Sequence, residues 1–153
     1  MRLMSRRPRS PAPKVAEQTR QLDLFIIDTG CDAATSELLR RSGAIGELGI
    51  HHRVFVLSQQ QSSELIGQNE ELAGRDPVLV LVNSDARVEK RRGSYGIQVC
   101  LGGLDVAAAT ALLAELTEVA SSSEKTGDQV IAELFRRLNK QAVSAWRGGS
   151  GRR

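Results

Sequence analysis

Leu22-Asp23-Leu24-Phe25-Ile26-Ile27-Asp28-Thr29-Gly30-Cys31-Asp32, continued by Ala33-Ala34-Thr35-Ser36-Glu37-Leu38-Leu39-Arg40-Arg41, is the stretch that decides the fold. Its opening run is apolar apart from Asp23. It is too short for a helix and suits a strand buried on both faces. Asp28-Thr29-Gly30 is turn chemistry that also offers N-capping side chains. From residue 33 to 41 good helix formers follow, with Leu38 and Leu39 inward. A buried strand thus passes straight into a helix at Gly30-Cys31.

Working outward, Gly43, Gly46 and Gly49 are expected to break that helix, and residues 53–57 read as a second buried strand. Residues 59–73 make a polar helix with a thin stripe of Leu65, Ile66 and Leu72, closing at Gly74. Pro77 opens an apolar run over 78–82 with three valines, the best strand in the chain, because a proline at a strand's first residue forfeits no ladder bond. A turn from Asn83 and a charged tip over 89–92 lead to a fourth strand over 97–101. There Ile97, Val99 and Leu101 share one face and Gln98 and Cys100 the other. Asp105 then caps a helix over 106–119. The expected order is β-α-β-α-β-β-α, an α/β domain over residues 21–120 with a four-stranded mixed sheet in the order 4-3-1-2.

Residues 121–127, with three consecutive serines, read as a linker. Over 128–147, Ile131, Leu134, Phe135, Leu138, Ala142 and Trp146 recur at three- and four-residue spacing with Arg136, Arg137, Lys140 and Arg147 between them, which predicts a basic amphipathic helix. Residues 148–153 read as a flexible basic tail. At the other end, residues 1–20 carry three prolines and too few apolar residues to offset the entropy of ordering, so a disordered basic arm is expected.

The chain of 153 residues is one domain's length, and its net charge of +3 conceals a segregation. Residues 1–20 hold six Lys or Arg against one acid, residues 21–120 eight against fourteen, and residues 121–153 seven against three. An acidic body therefore carries two basic ends, a pattern of interaction tails. Three Phe, one Tyr and one Trp argue against base stacking, and no Gly-rich phosphate loop is present. Two cysteines are too few for a zinc site or a disulfide framework, and in the expected sheet they stand too far apart to bridge. No metal is expected. With neither an apolar span nor a secretory leader, the reading is of an intracellular, cytoplasmic protein, although the Arg- and Ser-rich start also has the composition of an organellar transit peptide.

Three features resemble the thioredoxin-like superfamily, thioredoxins and glutaredoxins, over about 100 residues. Cys31 sits where the first strand meets the first helix, which is similar to the place of the family's reactive cysteine. Pro77, before the third strand, looks like its cis-proline facing that cysteine. Leu101-Gly102-Gly103-Leu104-Asp105 resembles the Gly-Gly-x-Asp stretch that helps hold glutathione. The family's Cys-x-x-Cys is here Cys31-Asp32-Ala33-Ala34, so the resemblance implies at most a monothiol. Arg75-Asp76 stands before the proline in place of Thr-Val, and Asp28 takes the place of a basic residue; no cofactor is expected, glutathione being the one that the resemblance keeps open.

Two opposed effects act on Cys31. A helix N-terminus favours the thiolate, which is the nucleophile, while Asp28 and Asp32 disfavour it. Phe25-Ile26-Ile27-Asp28-Thr29-Gly30 also looks like the catalytic turn of aspartic proteases, but a helix-forming segment follows in place of their strands and flap. His51 and His52, being adjacent, would face opposite sides of a strand and could not share a metal.

Two functions fit. One is a non-catalytic thioredoxin-like adaptor or assembly subunit that binds a protein partner through Pro77, Arg6, Arg7, Arg9, Arg136, Arg137, Lys140, Trp146 and Arg147, ends that would also suit nucleic acid or another anionic surface. The alternative is a monothiol redox protein using Cys31, a thiol-disulfide oxidoreductase.

Overall fold

A computed structural model describes residues 22–83, 96–122 and 124–146. The elements run β1 (Leu22–Ile27), α1 (Ala33–Arg41), α2 (Ala44–His51), β2 (Arg53–Val56), α3 (Gln59–Gln68), a 3-10 turn (Glu70–Leu72), β3 (Val78–Asn83), β4 (Gly96–Cys100), α4 (Val106–Ala120), α5 (Gly127–Arg137) and β5 (Val143–Trp146). The strands form one mixed sheet in the order β2-β1-β3-β4-β5. β1 and β2 are parallel, and every other pair is antiparallel. The chain is therefore α/β with five strands and five α-helices among the described residues.

Strand alternation distributes the core. Leu24, Ile26, Leu79, Leu81, Ile97 and Val99 face one side, where Leu39, Leu48, Leu112, Leu116, Ile131 and Leu134 of α1, α2, α4 and α5 cover them. Phe25, Ile27, Val78, Val80 and Cys100 face the other, under Leu65 and Ile66 of α3 and the buried Leu72. β3 is buried along almost its whole length, as its unbroken apolar run predicts.

Three expectations are corrected. The first helix ends before Gly43 as expected, but Gly46 and Gly49 do not break helical structure and lie inside α2. Gly43, with φ of 82°, turns the chain at the N-cap and α2 starts at once, because Ala44 and Leu48 reach the core. The 59–73 segment is two elements, since Asn69 leaves helical geometry and caps α3 before the 3-10 turn.

The third correction concerns the C-terminal segment. The helix expected over 128–147 ends at Arg137. Leu138 is extended, Asn139 turns the chain, and Val143–Trp146 adds a fifth strand antiparallel to β4. Helical spacing was real as far as Leu138, and Ala142 and Trp146 continued it by coincidence. Nor is α5 detached behind a linker at 121–127. Thr126 caps it in a reciprocal capping box with Gln129, and Val130, Ile131 and Leu134 are buried in the main core, so the domain extends beyond residue 120 to the end of β5. Gly96 shows why β5 belongs there. It pairs with Trp146, and a Cβ on it would lie 3.3 Å from the Trp146 side chain, so the indole covers a strand position with no side chain of its own.

Candidate functional site

Three segments meet at the C-terminal end of β1: the turn 28–32, the Arg75-Asp76-Pro77 approach to β3, and Gly102-Gly103 after β4. Asp28 holds the turn, its Oδ1 accepting from the Gly30 N–H at 2.9 Å and the Ser36 hydroxyl at 2.8 Å. Its own N–H donates to Ser62 of α3. Asp32 caps α1, accepting from Thr35 N–H, and its second oxygen accepts from Gly103 N–H at 3.1 Å. These bonds, with that from Gly103 the largest, hold the Asp32 carboxyl below its ordinary pKa. Asp32, not Cys31, thus takes up the exposed amides at the start of α1.

Asp76 is at the centre. It is 1% exposed and precedes Pro77 through a cis peptide bond. Its Oδ2 accepts from the Thr29 N–H at 2.7 Å and the Thr29 hydroxyl at 2.8 Å, and its Oδ1 accepts from the Cys31 thiol at 3.1 Å. Burial works to raise the Asp76 pKa, but the bonds from Thr29 and Cys31 win and hold it below the usual carboxylate value. The same contact acts in reverse on the thiol. Desolvation, then the hydrogen bond and charge of Asp76, raise Cys31 above its ordinary pKa, outweighing the opposing bond of the Thr29 hydroxyl. Ionising Cys31 would set a second anion against a buried one and remove the only proton between them. At neutral pH the pair is a thiol donating to a carboxylate.

Sequence reasoning missed Asp76 as a site residue, although an acid buried in the core must find donors and Thr29 and Cys31 were the nearest polar groups at the turn. Gly102 completes the site. A Cβ there would fall 2.3 Å from the Asp76 carbonyl oxygen, so only glycine lets the chain after β4 pass against the Asp76 backbone. Gly102 N–H donates to Arg75 O, and Leu101 N–H to Pro77 O.

Of the other expected site residues only Pro77 lies at this turn, next to Asp76. Pro77 is buried and presents no surface. Arg137 bonds Glu115 and Glu133 at 3.1 and 3.3 Å, tying α5 to α4. Arg136 is exposed beside Glu133. Lys140 caps the end of α5 by donating to Phe135 O and Arg136 O. Trp146 is half-buried in β5 against the Val80 and Cys100 cluster. Arg6, Arg7, Arg9 and Arg147 lie outside the described residues. Cys31 and Cys100 are both free. His51 ends α2, and His52 is buried with Nε2 on Ala120 O.

A separate groove of about 490 Å³ runs between α1, α2 and α4, lined by Leu38, Ala44, Leu113, Ala114, Thr117 and Glu118 among others, and does not include Cys31. Among the described residues no cluster of three His, Cys, Asp or Glu could hold a metal, and no helix is long and apolar enough to cross a membrane. Comparison with protein-family models, with curated proteins and with solved structures finds no match.

Proposed function

We propose that this chain is a thioredoxin-like module that works by binding a protein partner and not by thiol-disulfide exchange. The strand order β2-β1-β3-β4, with β1 and β2 parallel and a cysteine turn packed beside Asp76-Pro77, supports the thioredoxin-like reading; β5 is then an addition at the far edge. The observation that carries the functional reading is the 3.1 Å contact from Cys31 Sγ to Asp76 Oδ1. Exchange needs a thiolate, and this carboxylate opposes its formation. Cys31 serves as a proton-holding strut between two segments of the chain.

The partner-facing charge is then the basic ends. Arg137 and Lys140 are engaged within the fold, and Arg136 pairs with Glu133 at 3.1 Å on the surface with its side chain 69% exposed, so that Arg136, with Arg6, Arg7, Arg9 and Arg147, is the charge to meet an acidic protein surface. Recovery of partners by the full chain should survive Cys31→Ser and be lost when Arg6, Arg7, Arg9, Arg136 and Arg147 are changed together to Glu. Unchanged recovery by the charge-reversed chain refutes the reading.

A second reading, a monothiol redox protein, draws support from one observation, the exposure of Cys31. Alkylation of Cys31 at acidic pH faster than a free thiol would favour it.

A further inference from the structure

Three of the four large apolar side chains exposed among the described residues fall in one seven-residue stretch: Ile50 at 61%, Phe55 at 41% and Val56 at 63%. That stretch is the end of α2 and β2, and β2 is an outer strand of the sheet, with β1 on one side and no described strand on the other. Edge strands in natural proteins are blunted by lysine, proline or inward charge, because their unpaired amides and carbonyls are a template for another strand. β2 is short, at four residues, but it has none of these. Its single charge, Arg53, is held in place by Asp23 at 2.8 and 3.1 Å and lies over the Phe55 ring.

The direction of the backbone fixes what could pair there. Leu57 N–H donates inward to Ile26 O at 3.1 Å. Strand alternation then turns Phe55 inward as well, and directs the N–H and C=O of Val54 and Val56 out of the sheet. A two-fold axis perpendicular to the sheet keeps each side chain on its own face only if a residue meets one at an even offset. The register centred on Phe55 satisfies this. It sets Val54 opposite Val56 of a second copy and Val56 opposite its Val54, both as hydrogen-bonded pairs. Phe55 faces Phe55 of the second copy as the close, non-hydrogen-bonded pair, with Cα atoms about 4.5 Å apart. Centring on Val54 instead would bring in His52, which is the cap of α2 and buried.

We propose that this chain forms a homodimer through β2, joining two five-stranded sheets into one of ten, antiparallel about Phe55. The occupant is a second copy because β2 complements itself under that axis. Each Phe55 already stacks on Phe25 at 5.1 Å, so the pairing extends one stack into a row of four rings. Each Arg53 stays with its own Asp23 and faces Leu57, not a second arginine. Antiparallel pairing directs the two Cys31 turns to opposite ends of the joined sheet, so the dimer is independent of the reading of that site.

Sedimentation equilibrium of the full chain over a concentration series tests this. The expected result is a reversible monomer-dimer equilibrium, weakened at least about tenfold by Val56→Lys, which places two charges on the interface, and by Val56→Pro, which removes an outward N–H and leaves the β1 ladder intact. Register is read separately in a Cys31→Ser background. Mild oxidation should cross-link Phe55→Cys between chains and should not cross-link Arg53→Cys, because only the first meets its own copy within disulfide range. Circular dichroism identifies any variant that has not folded. A chain that stays monomeric to millimolar concentration, a dimer indifferent to both Val56 variants, a particle larger than two chains, or cross-linking at 53 in preference to 55 overturns the proposal.

Discussion

The Cys31 thiol donates to Asp76 Oδ1 across 3.1 Å, and with that bond the turn after β1 is fastened to the segment before β3. Thr29 adds two further donors to the same carboxylate. A buried acid with three protein donors organises a loop. Both partners gain from the arrangement, the carboxylate because its charge is satisfied and the thiol because its proton is held.

Asp76→Asn removes the charge and keeps the shape. Cys31 should then ionise at lower pH, with thiolate at fixed pH rising about tenfold for each unit the pKa falls. The pH profile of iodoacetamide alkylation, with Cys100 buried and slow, reads this directly. A profile that does not move would mean that desolvation alone raises the thiol.

Gly102→Ala places a methyl 2.3 Å from the Asp76 carbonyl and 2.6 Å from the Arg75 carbonyl carbon, both backbone atoms that cannot step aside. The expected loss is about 1–3 kcal/mol, the cost of overpacking a tight site. Thermal denaturation measures it. Gly67→Ala, where a Cβ would meet nothing within 4 Å inside α3, should raise stability instead, by up to about 1 kcal/mol.

What the sequence disclosed divides along a physical line. β1, α1, β3 and α4 were legible because each carries its own signal within a few residues: an apolar run, a cap, a breaker. The position of Cys31 at the strand-helix junction was legible for the same reason. Asp76 was not, since its role depends on Thr29 and Cys31, which precede it by more than forty residues and leave no mark near it. β5 was hidden by a different cause. Four residues with one buried valine give no alternation to count, and the periodicity of α5 runs on through them. Only the open edge of β4 and the bare Gly96 opposite Trp146 explain why they pair.

His52 supplies a pH dependence of its own. Burial lowers its pKa, chiefly, against the bond to Ala120, and Nδ1 has no partner in the interior. Nε2 carries the proton that meets the Ala120 carbonyl. Because the folded pKa lies below the unfolded one, the unfolded chain binds the proton first as pH falls. Stability should therefore decline below the unfolded imidazole value of about 6.5, by at most about 1.4 kcal/mol per pH unit from this group. Chemical denaturation at pH 7.5 and 5.5 should show the loss. His52→Gln, which can still donate to Ala120, should remove that part of it.

Val143 and Ser144 test the fifth strand. In an antiparallel strand on β4, Val143 turns into the core opposite Val99, while Ser144 beside Gln98 is exposed. Val143→Asp buries an unpaired carboxylate and should cost about 3 kcal/mol or more, whereas Ser144→Asp should change stability by less than about 0.5 kcal/mol. Amide exchange carries the second half of the test. Cys100 N–H donates to Ala142 O at 2.7 Å, immediately before β5 begins. Val143→Asp should therefore release the Cys100 amide and leave Leu79 and Leu81 protected at the centre of the sheet. If 143–146 continued α5 as a helix, the two substitutions would not differ in this way, because neither would then be set against β4.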